Sequence, residues 1–482
     1  MSGANFCATL SAKQRRLRQY LISRSVIQQL QTAVGKDAVI SSREELLVYS
    51  YDATLPEFRP DVVVFPTTAE QVAEILKLAN EHKLPVVPRG AGTNLSGGSL
   101  ALDGGIILCL SRMTRILAID RDNLVVIVEP GVVNAELQAA LAPLGLFYPP
   151  DPASMNVCTL GGNVAENSGG PRCLKYGVTR DYVLGLEVVL PTGEIIHTGG
   201  SVMKNCTGYD FTRLFVGSEG TLGVVTRITL RVLPLPEAKK TMLAVFDSVA
   251  DASNAVSAII ARGIIPTTLE LMDRILISCA EDFVHVGLPK DAAAVLLIEI
   301  DGFRESLDRQ VLQVEAVCQA NRVREIRHAT TGKEVDDLWL ARRTVIGALA
   351  RLEPNYSLQD VTVPRSKLPA IVARIGEVSA KFDIRIGVLA HAGDGNLHPI
   401  VLFDERKTGD LAKVHAAEEE ICRAALALGG TLSGEHGIGL SKRQHLPLEY
   451  GPVEMSLVVR LKQLFDPNGI LNPGKIVNGG VK

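Results

Sequence analysis

Three glycine-dense segments in the first half of this chain restrict its fold more than any other feature. Their sequences are PRGAGTNLSGG (residues 88–98), TLGGNVAENSGG (159–170) and GSEGTLGVVT (217–226). Glycine lets backbone N–H groups approach a phosphate closely, and successive N–H groups form an anion-binding nest. None of the three has the GxGxxG spacing of a nucleotide-binding Rossmann fold or the pattern of a Walker loop. Together they predict a domain that binds a large, multiply charged cofactor.

The residues from Asp61 onward predict a β-α-β unit that ends in the first glycine loop. After a short apolar strand, Thr67 and Glu70 have the spacing of a helix-capping box. The apolar positions that follow recur at helical spacing, which predicts one buried helix face, and they are Val72, Ile75, Leu76 and Ala79. A second strand over 84–87 then leads into the glycine loop, so we expect that loop to face a ligand.

The rest of the chain predicts an α+β protein with more than one domain. Further strands are predicted at 105–110, 115–119, 124–128, 186–190, 194–197 and 223–233, with a turn at 191–193. The prolines in RVLPLPEAKK (231–240) mark the predicted domain boundary. A second region alternates strands (242–246, 295–300, 384–390) with helices (252–261, 307–320, 368–381), and two helices (410–428, 453–465) close the chain. We therefore predict an N-terminal helical segment (1–57), a cofactor domain (58–236) and a second domain (237–482).

Two glycine-bracketed segments near the C-terminus concentrate histidine and glutamate. The first is HAGDGNLHP (391–399) and the second is SGEHGIG (433–439). His391, His398 and Glu435 offer the N and O ligands that zinc, manganese or iron accept, and His436 is suited to proton transfer. We expect both segments to be loops. Asp394 is interpreted as a turn residue of the first loop rather than as a ligand.

Bulk properties exclude several classes of protein. A net charge of -3 gives no basic face for nucleic acid. The 8 cysteines are scattered without a CxxC pair, which argues against an iron–sulfur centre or thiolate-bound zinc within this sequence and favours free thiols in a reducing compartment. The sequence contains no apolar run long enough to span a bilayer. Residues 11–30 are basic and resemble an organellar transit peptide only weakly, so an ordinary basic helix is favoured there.

Six ordered motifs carry a resemblance to a known family. They are the first glycine loop, DPASMNVCTLGGNVAENSGGPRCLKYGVTRDYV, GYDFTRLFVGSEGTLGVVT, HAGDGNLHP, SGEHGIG and LFDPNGILNPGK. In this order they resemble the vanillyl-alcohol-oxidase-type FAD flavoproteins, above all the FAD-linked subunit of glycolate oxidase and the D-lactate dehydrogenases. The resemblance implies a two-subdomain FAD-binding domain of the PCMH type, an α/β substrate (cap) domain, and C-terminal helices that return to the FAD domain.

The resemblance also implies which residues bind FAD. The first loop would hold the pyrophosphate, and the later motifs the adenosine and flavin. The implied residues are Arg89, Gly90, Ala91, Gly92, Thr93, Asn94, Ser96, Gly97, Pro150, Asp151, Ser154, Thr159, Gly162, Asn163, Ala165, Glu219, Gly220, Val224 and Asn472. Some relatives attach FAD through a histidine of the first loop. Residues 89–98 contain no histidine, so non-covalent FAD is expected.

The activity implied is the metal-assisted oxidation of a small 2-hydroxy acid, with hydride transfer to flavin N5. His391, His398 and Glu435 match the family's ligands for a divalent metal (zinc, manganese or iron). His436 matches the base, since imidazole has an ordinary pKa of about 6.5. Arg342 matches the arginine that binds the substrate carboxylate, a task that suits a guanidinium.

One departure from the family pattern narrows the substrate. Relatives specific for D-2-hydroxyglutarate have an extra lysine shortly before the aspartate equivalent to Asp360, whereas this chain has SLQ (357–359) there. Glycolate or D-lactate is therefore the expected substrate. D-2-hydroxyglutarate dehydrogenase, an alkylglycerone-phosphate-synthase-like enzyme and a non-catalytic flavin subunit stay open as alternatives.

The resemblance implies a partner for the electrons as well. Without an iron–sulfur motif of its own, the chain would pass electrons to an iron–sulfur or other electron-accepting subunit, or to a quinone or cytochrome. We expect a cytoplasmic location, with membrane association through a partner, in preference to the mitochondrial matrix.

Overall fold

The computed structural model describes residues 22–54 and 56–477. Helices and strands are numbered along the chain. The α-helices are α1 Arg24–Val34, α2 Arg43–Leu46, α3 Ala69–His82, α4 Asn134–Leu141, α5 Leu160–Glu166, α6 Cys173–Tyr176, α7 Phe211–Phe215, α8 Val249–Ala261, α9 Arg274–Val284, α10 Arg304–Ala320, α11 Gly332–Ala348, α12 Leu368–Phe382, α13 Asp410–Ala427, α14 Leu446–Glu449 and α15 Pro452–Phe465. Lys13, Arg15, Arg16 and Arg18 of the basic segment lie outside the described residues.

The strands form mixed and antiparallel sheets. They are β1 Val39–Ile40, β2 Val62–Val64, β3 Val86–Arg89, β4 Ile106–Cys109, β5 Ile116–Asp120, β6 Val125–Val128, β7 Leu146–Phe147, β8 Val183–Val189, β9 Ile195–Gly199, β10 Val224–Arg231, β11 Leu233–Pro234, β12 Ala238–Phe246, β13 Thr268–Asp273, β14 Ala294–Gly302, β15 Glu325–Ala329, β16 Asn355–Leu358, β17 Val361–Thr362, β18 Arg385–His391 and β19 Asn396–Phe403. Short 3-10 helices lie at Lys36–Ala38, Leu47–Tyr49, Ala142–Leu144, Thr179–Asp181, Leu349–Arg351 and Arg365–Lys367.

The chain divides into two compact units. The first unit contains the described residues within 1–168, 178–235 and 435–482, and the second contains 169–177 and 236–434. Of the two helices predicted to close the chain, α15 therefore belongs to the first unit, as the family resemblance implied, whereas α13 belongs to the second. The mixed helix and sheet content confirms the α+β prediction.

The described part of the first unit contains two larger sheets and a short antiparallel pairing of β7 with β11. One has the order β1-β2-β4-β3, in which β2 and β3 both lie parallel to β4, while the other is antiparallel with the order β5-β6-β10-β8-β9. The parallel sheet contains the predicted β-α-β unit. Its helix α3 packs Val72, Ile75, Leu76 and Ala79 into the core, as their spacing predicted. The N-cap is Thr68 and not Thr67, because Thr68 accepts the N–H of Gln71 while Thr67 N donates to the Gln71 side chain.

The return of the C-terminus is a hydrogen-bonded feature of this unit. Leu471 forms a parallel bridge with Val86 of β3, and Asn472 N donates to Val86 O at 2.7 Å. Strand β3, which leads into the first glycine loop, is thus bordered by LFDPNGILNPGK, the last of the six motifs.

The second unit is one antiparallel sheet covered by helices. Its strand order is β15-β12-β14-β13-β18-β19-β16, with β17 also paired to β19. Apolar residues of β12, β13, β14, β18 and β19 pack against α9 and α11 in one core that includes Trp339. Trp339, the single tryptophan of the sequence, is therefore a core residue. Among the described helices, none is long and apolar enough to cross a membrane.

Candidate active site

The first glycine loop starts at the end of β3 and is shaped around a buried guanidinium. Arg89 is buried, and its Nη1 atom donates to Ser99 Oγ at 3.4 Å. Gly92 has a φ of +74°, which favours glycine, and a Cβ atom there would lie 2.2 Å from Arg89 Nη2 and displace that guanidinium. No carboxylate of the described residues forms an ion pair with Arg89. A buried cation in this position suits an anionic ligand such as a pyrophosphate.

The second glycine segment packs directly against the first. Thr159 caps α5 by accepting the N–H of Gly162, and a Cβ atom at Gly90 would meet Thr159 Oγ1 at 2.2 Å. Asn163 Nδ2 and Ser96 Oγ are buried and have no hydrogen-bond partner among the described residues. Because buried polar atoms are nearly always bonded, these two atoms fit a bound cofactor.

Asn472 connects three of the predicted cofactor motifs. Its Nδ2 atom donates to Gly98 O at 2.9 Å and to Glu219 O at 2.7 Å, and its backbone has a positive φ of 43°. All of the residues expected to bind FAD lie in the first unit, and they occupy the first loop, the segment before α5, α5 itself, the turn before β10, the start of β10 and the C-terminal return. The residues of this unit therefore provide the glycine cradle, the buried cation and the unsatisfied donors that a dinucleotide cofactor requires.

Glu219 anchors the end of the SGEHGIG segment. Its carboxylate accepts the N–H of Ile438 at 2.7 Å and that of Gly439 at 2.6 Å. Leu440 N also donates to Ser96 O at 2.8 Å. The backbone two and three residues after His436 is thus fixed to the cofactor domain by a buried acid.

Glu166 and Lys475 lie near Glu219, and the sequence did not predict them as residues of the site. A Cβ atom at Gly437 would lie 2.5 Å from Glu166 Oε2 and 2.9 Å from Glu219 Oε1, so both carboxyl groups face this glycine. Burial raises the pKa of Glu219 to about 7, against the opposing effect of its two N–H donors and Lys475. Burial also raises the pKa of Glu166, as does Glu219, and burial lowers the pKa of Lys475 to about 7.

His391 and His398 lie on one hairpin of the second unit. They were expected in a loop, but His391 ends β18 and His398 is within β19, because the loop is only the short turn between them. In that turn Asp394 Oδ1 accepts the N–H of Asn396 at 3.1 Å, as expected of a turn residue. Both imidazoles are buried, and their ring centroids are 5.1 Å apart with the planes nearly perpendicular.

Glu270 is the main feature that the sequence did not reveal. This glutamate of β13 lies opposite His391 of β18, and its Oε1 atom is 2.7 Å from His391 Nδ1. Its Oε2 atom accepts from Arg342 Nε at 2.6 Å and is also paired with Arg342 Nη2. Burial by itself would raise the pKa of Glu270, but Arg342 and His391 lower it below its ordinary value. An acid inside an apolar strand was the only signal in the sequence.

Arg342 was expected to bind the substrate carboxylate, and the structure shows a protein partner for one of its edges. The side chain is buried, and its Nε and Nη2 atoms are both engaged by Glu270. The edge formed by Nη1 and the second N–H of Nη2 is not used by Glu270, and it can bind a ligand carboxylate. Its neighbour Arg343 lies over the Trp339 ring instead, 5.1 Å from the ring centroid.

Asp360 organises the segment that leads to Glu435. This fully buried aspartate accepts from Asn396 Nδ2 at 2.6 Å, from Ser433 Oγ at 2.6 Å and from Gly434 N at 2.9 Å. Gly434 has no room for a side chain, since a Cβ atom would lie 2.3 Å from Asn396 Nδ2. Asp360 therefore fixes the histidine hairpin and the residue that precedes Glu435 in the chain.

Glu435 and His436 belong to the first unit. Their side chains are mostly buried, and His436 Nε2 lies 3.9 Å from Glu435 Oε1. The residues after them are held by Glu219, and Gly434 before them is held by Asp360, so both ends of this short segment are fixed by hydrogen bonds to buried acids.

Two family models that match this chain name FAD as the cofactor. A family described as "FAD binding domain" matches residues 60–199, and one described as "FAD linked oxidases, C-terminal domain" matches residues 235–476. The glycolate oxidase subunit GlcD of Bacillus subtilis is 47% identical over 95% of this chain and 97% of its own length. The D-lactate dehydrogenase of Anaerostipes hadrus is 36% identical over 90% of this chain and 92% of its own length.

Solved structures extend the likeness to the fold. A p-cresol methylhydroxylase aligns with a TM-score of 0.78 at 20% identity, covering 94% of this chain and 96% of that chain. An alkyldihydroxyacetonephosphate synthase aligns with a TM-score of 0.73 at 20% identity, covering 94% and 86%. At these identities the match shows the shared architecture alone.

Proposed function

Because this chain belongs to the FAD-linked oxidase family of the glycolate oxidase GlcD subunits and D-lactate dehydrogenases, we propose that it oxidises a short 2-hydroxy acid to the 2-oxo acid. The observation that supports this most is the combination of a dinucleotide cradle in one unit with a paired-histidine hairpin in the other. Both relatives are named for the oxidation of a 2-hydroxy acid, and the two matching family models are described as FAD-binding and FAD-linked.

FAD is proposed to bind non-covalently in the first unit. Arg89 and the N–H groups of residues 90–94 would hold the pyrophosphate, while Asn163 and Ser96 offer the buried polar atoms that still need partners. Bound FAD supplies the acceptor for the hydride that leaves the substrate Cα. The protein's part is to orient the acid and to remove the hydroxyl proton.

The proposed metal ligands are His391, His398 and Glu435. A ring nitrogen of His391 and one of His398 lie within 4.8 Å of each other, and Glu435 follows Gly434, which Asp360 holds in place. Two imidazoles and a carboxylate suit zinc, manganese or iron. A divalent ion bound there supplies charge that lowers the pKa of the substrate hydroxyl.

His436 is proposed as the base and Arg342 as the carboxylate-binding group. Imidazole accepts a proton efficiently near neutral pH, and the fixed backbone on both sides of the segment keeps His436 in place. The edge of Arg342 formed by Nη1 and the second N–H of Nη2 offers charge to the substrate carboxylate, while Glu270 occupies the edge formed by Nε and Nη2.

The substrate is proposed to be glycolate or D-lactate. The SLQ segment before Asp360 has no cation for a second carboxylate, and Gln359 Nε2 is bonded to Glu418 Oε1 at 2.8 Å. With this partner, Gln359 adds no positive charge for a second carboxylate. D-2-hydroxyglutarate is therefore disfavoured.

The electrons are proposed to leave through a partner. The Bacillus subtilis relative is named as a subunit, which supports an iron–sulfur or other electron-accepting subunit, with a quinone or cytochrome as the further acceptor. A cytoplasmic location, with membrane association through that partner, is part of the same proposal.

Anaerobic mixing of the FAD- and metal-loaded protein with single acids tests the function. We expect glycolate or D-lactate to bleach the flavin absorbance, and L-lactate and D-2-hydroxyglutarate to act much more slowly. If none of the four acids reduces the flavin, the proposal is wrong. Rapid reduction by D-2-hydroxyglutarate alone would contradict the substrate assignment.

His436→Ala tests the base. We expect flavin reduction to fall about 100- to 10,000-fold while FAD and metal stay bound. The matched control is His197→Ala, because the His197 side chain is 69% exposed on β9. Loss of metal from the His436 variant would mean that the residue is a ligand and not the base.

A further inference from the structure

Glu270 is hydrogen-bonded to two residues of the proposed active site, His391 and Arg342. It lies on β13, between β14 and β18 of the large sheet, and is 1% exposed. Each of its carboxylate oxygens is used by a different partner: Oε1 by His391 Nδ1 and Oε2 by Arg342. Both partners have roles in the proposed reaction.

We propose that Glu270 is a positioning residue of the active site, which holds His391 in the Nδ1–H tautomer and fixes the orientation of Arg342. This inference rests on the proposed function. An ionised carboxylate accepts hydrogen bonds only, so the His391 Nδ1 atom that faces it must be protonated. The lone pair of His391 is then on Nε2, the nitrogen that must face a metal ion.

The arrangement at Arg342 follows from the same carboxylate. Because Nε and Nη2 are both bonded to Glu270, the guanidinium plane is fixed, and the edge formed by Nη1 and the second N–H of Nη2 is left to bind a carboxylate. Glu270 thereby connects the group proposed to bind the metal with the group proposed to bind the substrate carboxylate.

A purely structural role explains this cluster poorly. A buried ion pair often adds less to stability than apolar residues of similar volume, so the fold alone gives no reason for a charged triad in the sheet. Glu299, on the adjacent strand β14, shows what a structural buried glutamate has as partners: Thr241 Oγ1 at 2.9 Å, Trp339 Nε1 at 3.3 Å and Lys239 Nζ at 3.2 Å. None of these three is a proposed site residue, which makes Glu299 the matched control.

Glu270→Gln separates positioning from structure because of the chemistry of the amide. Glutamine has one accepting oxygen and one donating NH2, whereas Arg342 and the Nδ1–H of His391 both donate. Arginine keeps its protons, so the amide oxygen should turn to Arg342 and the NH2 to His391. His391 must then accept at Nδ1 and hold its proton on Nε2, which is the wrong tautomer for a metal ligand.

The test uses the FAD-loaded protein labelled with 15N-histidine, with His391 signals assigned from a His391→Gln variant. Nuclear magnetic resonance separates protonated from bare ring nitrogens. We expect wild type and Glu299→Gln to show His391 protonated at Nδ1, and Glu270→Gln to show it protonated at Nε2. A wild-type His391 protonated at Nε2, or an unchanged tautomer in Glu270→Gln, overturns the inference.

Titration with Co²⁺ adds the functional readout. Loss of an orienting partner of a metal-bound histidine typically costs about 10- to 100-fold in affinity, so we expect that loss for Glu270→Gln and none for Glu299→Gln. Equal losses in the two variants would mean that any buried glutamate of the sheet matters alike, and would contradict the inference.

Failure of the proposed function gives a different result. If wild-type protein binds no Co²⁺, the metal assignment is wrong, but the tautomer of metal-free His391 still decides whether Glu270 positions it. If Glu270→Gln does not retain FAD or fold, the tautomer of the wild-type protein remains the deciding measurement.

Discussion

Two buried glutamates, one in each unit, are fixed by different kinds of partner. Glu270 is paired with Arg342 and His391, and its pKa is lowered although the surroundings are apolar. Glu219 accepts backbone N–H groups and lies beside a second buried acid, Glu166, and its pKa is raised to about 7. The comparison teaches that burial alone does not decide whether a carboxyl group is charged, because a close guanidinium outweighs the cost of burial whereas two N–H donors do not.

The difference in charge between Glu270 and Glu219 matches the role proposed for the region around each of them. A carboxylate that stays charged can hold an imidazole tautomer and a guanidinium at any pH used in an assay. A pair of facing carboxyl groups cannot both ionise at little cost, so the pair tends to retain a proton. We therefore expect Glu270 to stay charged near neutrality and the anchor of the SGEHGIG segment to respond to pH.

The largest effect is expected from removing Arg342, the cation that is paired with Glu270. Arg342→Ala leaves Glu270 buried without its counter-ion, which typically costs about 3–5 kcal/mol in the free energy of unfolding. Urea unfolding followed by Trp339 fluorescence measures it, since Trp339 lies in the core of the second unit.

The matched control is Arg343→Ala, at the next residue of the same helix. Arg343 is exposed and stacks on Trp339, so its loss should cost only about 0.5–1 kcal/mol. Similar losses for the two arginines would mean that Glu270 does not depend on Arg342 for its charge, and the comparison between the two glutamates would fail.

A smaller effect, with a distinct pH dependence, is expected at Glu219. Its pKa is about 7 in the folded protein, against 4.5 ordinarily. A group whose pKa is raised by folding stabilises the protein fully below its unfolded pKa, and that stabilisation is lost as the pH rises through the folded pKa. Glu219→Gln removes this dependence. From pH 5 to pH 7.5 the variant should therefore gain stability relative to wild type, by on the order of 2 kcal/mol.

Urea unfolding of the FAD-loaded protein, followed by flavin fluorescence, gives this difference at each pH. Lys475, whose pKa falls to about 7, acts in the window above neutrality, so the measurement stops at pH 7.5. Glu136→Gln, an exposed acid of α4, serves as the control and should show no such trend. A stability difference between Glu219→Gln and wild type that is constant from pH 5 to 7.5 would place a charged Glu219 in the fold and contradict the comparison.

The sequence predicted local features of both regions well. Helix α3 and its buried face follow from 3.6-residue spacing, and the glycine loops follow from positions such as Gly92, where a positive φ favours glycine. The pairing of His391 with Glu270 could not be predicted, because the two residues are 121 positions apart and meet only through the neighbouring placement of β13 and β18. The roles of Glu166 and Lys475 could not be predicted for the same reason, because their partners are set by the tertiary fold and not by a local sequence pattern.

The smallest effect is expected for the ion pair of a third buried glutamate, Glu299. Glu299 is 4% exposed and therefore buried, as Glu270 is. Its cation Lys239, however, has a side chain that is 52% exposed. Lys239→Met keeps the apolar stem and removes the charge, and Thr241 and Trp339 still donate to Glu299. Because a solvent-exposed cation contributes little, the cost in the free energy of unfolding should be about 0–1 kcal/mol and should shrink further in high salt. A loss as large as that of Arg342→Ala would show that the exposure of the cation is not what distinguishes these carboxylates, and that the sheet imposes the same requirement on every buried acid.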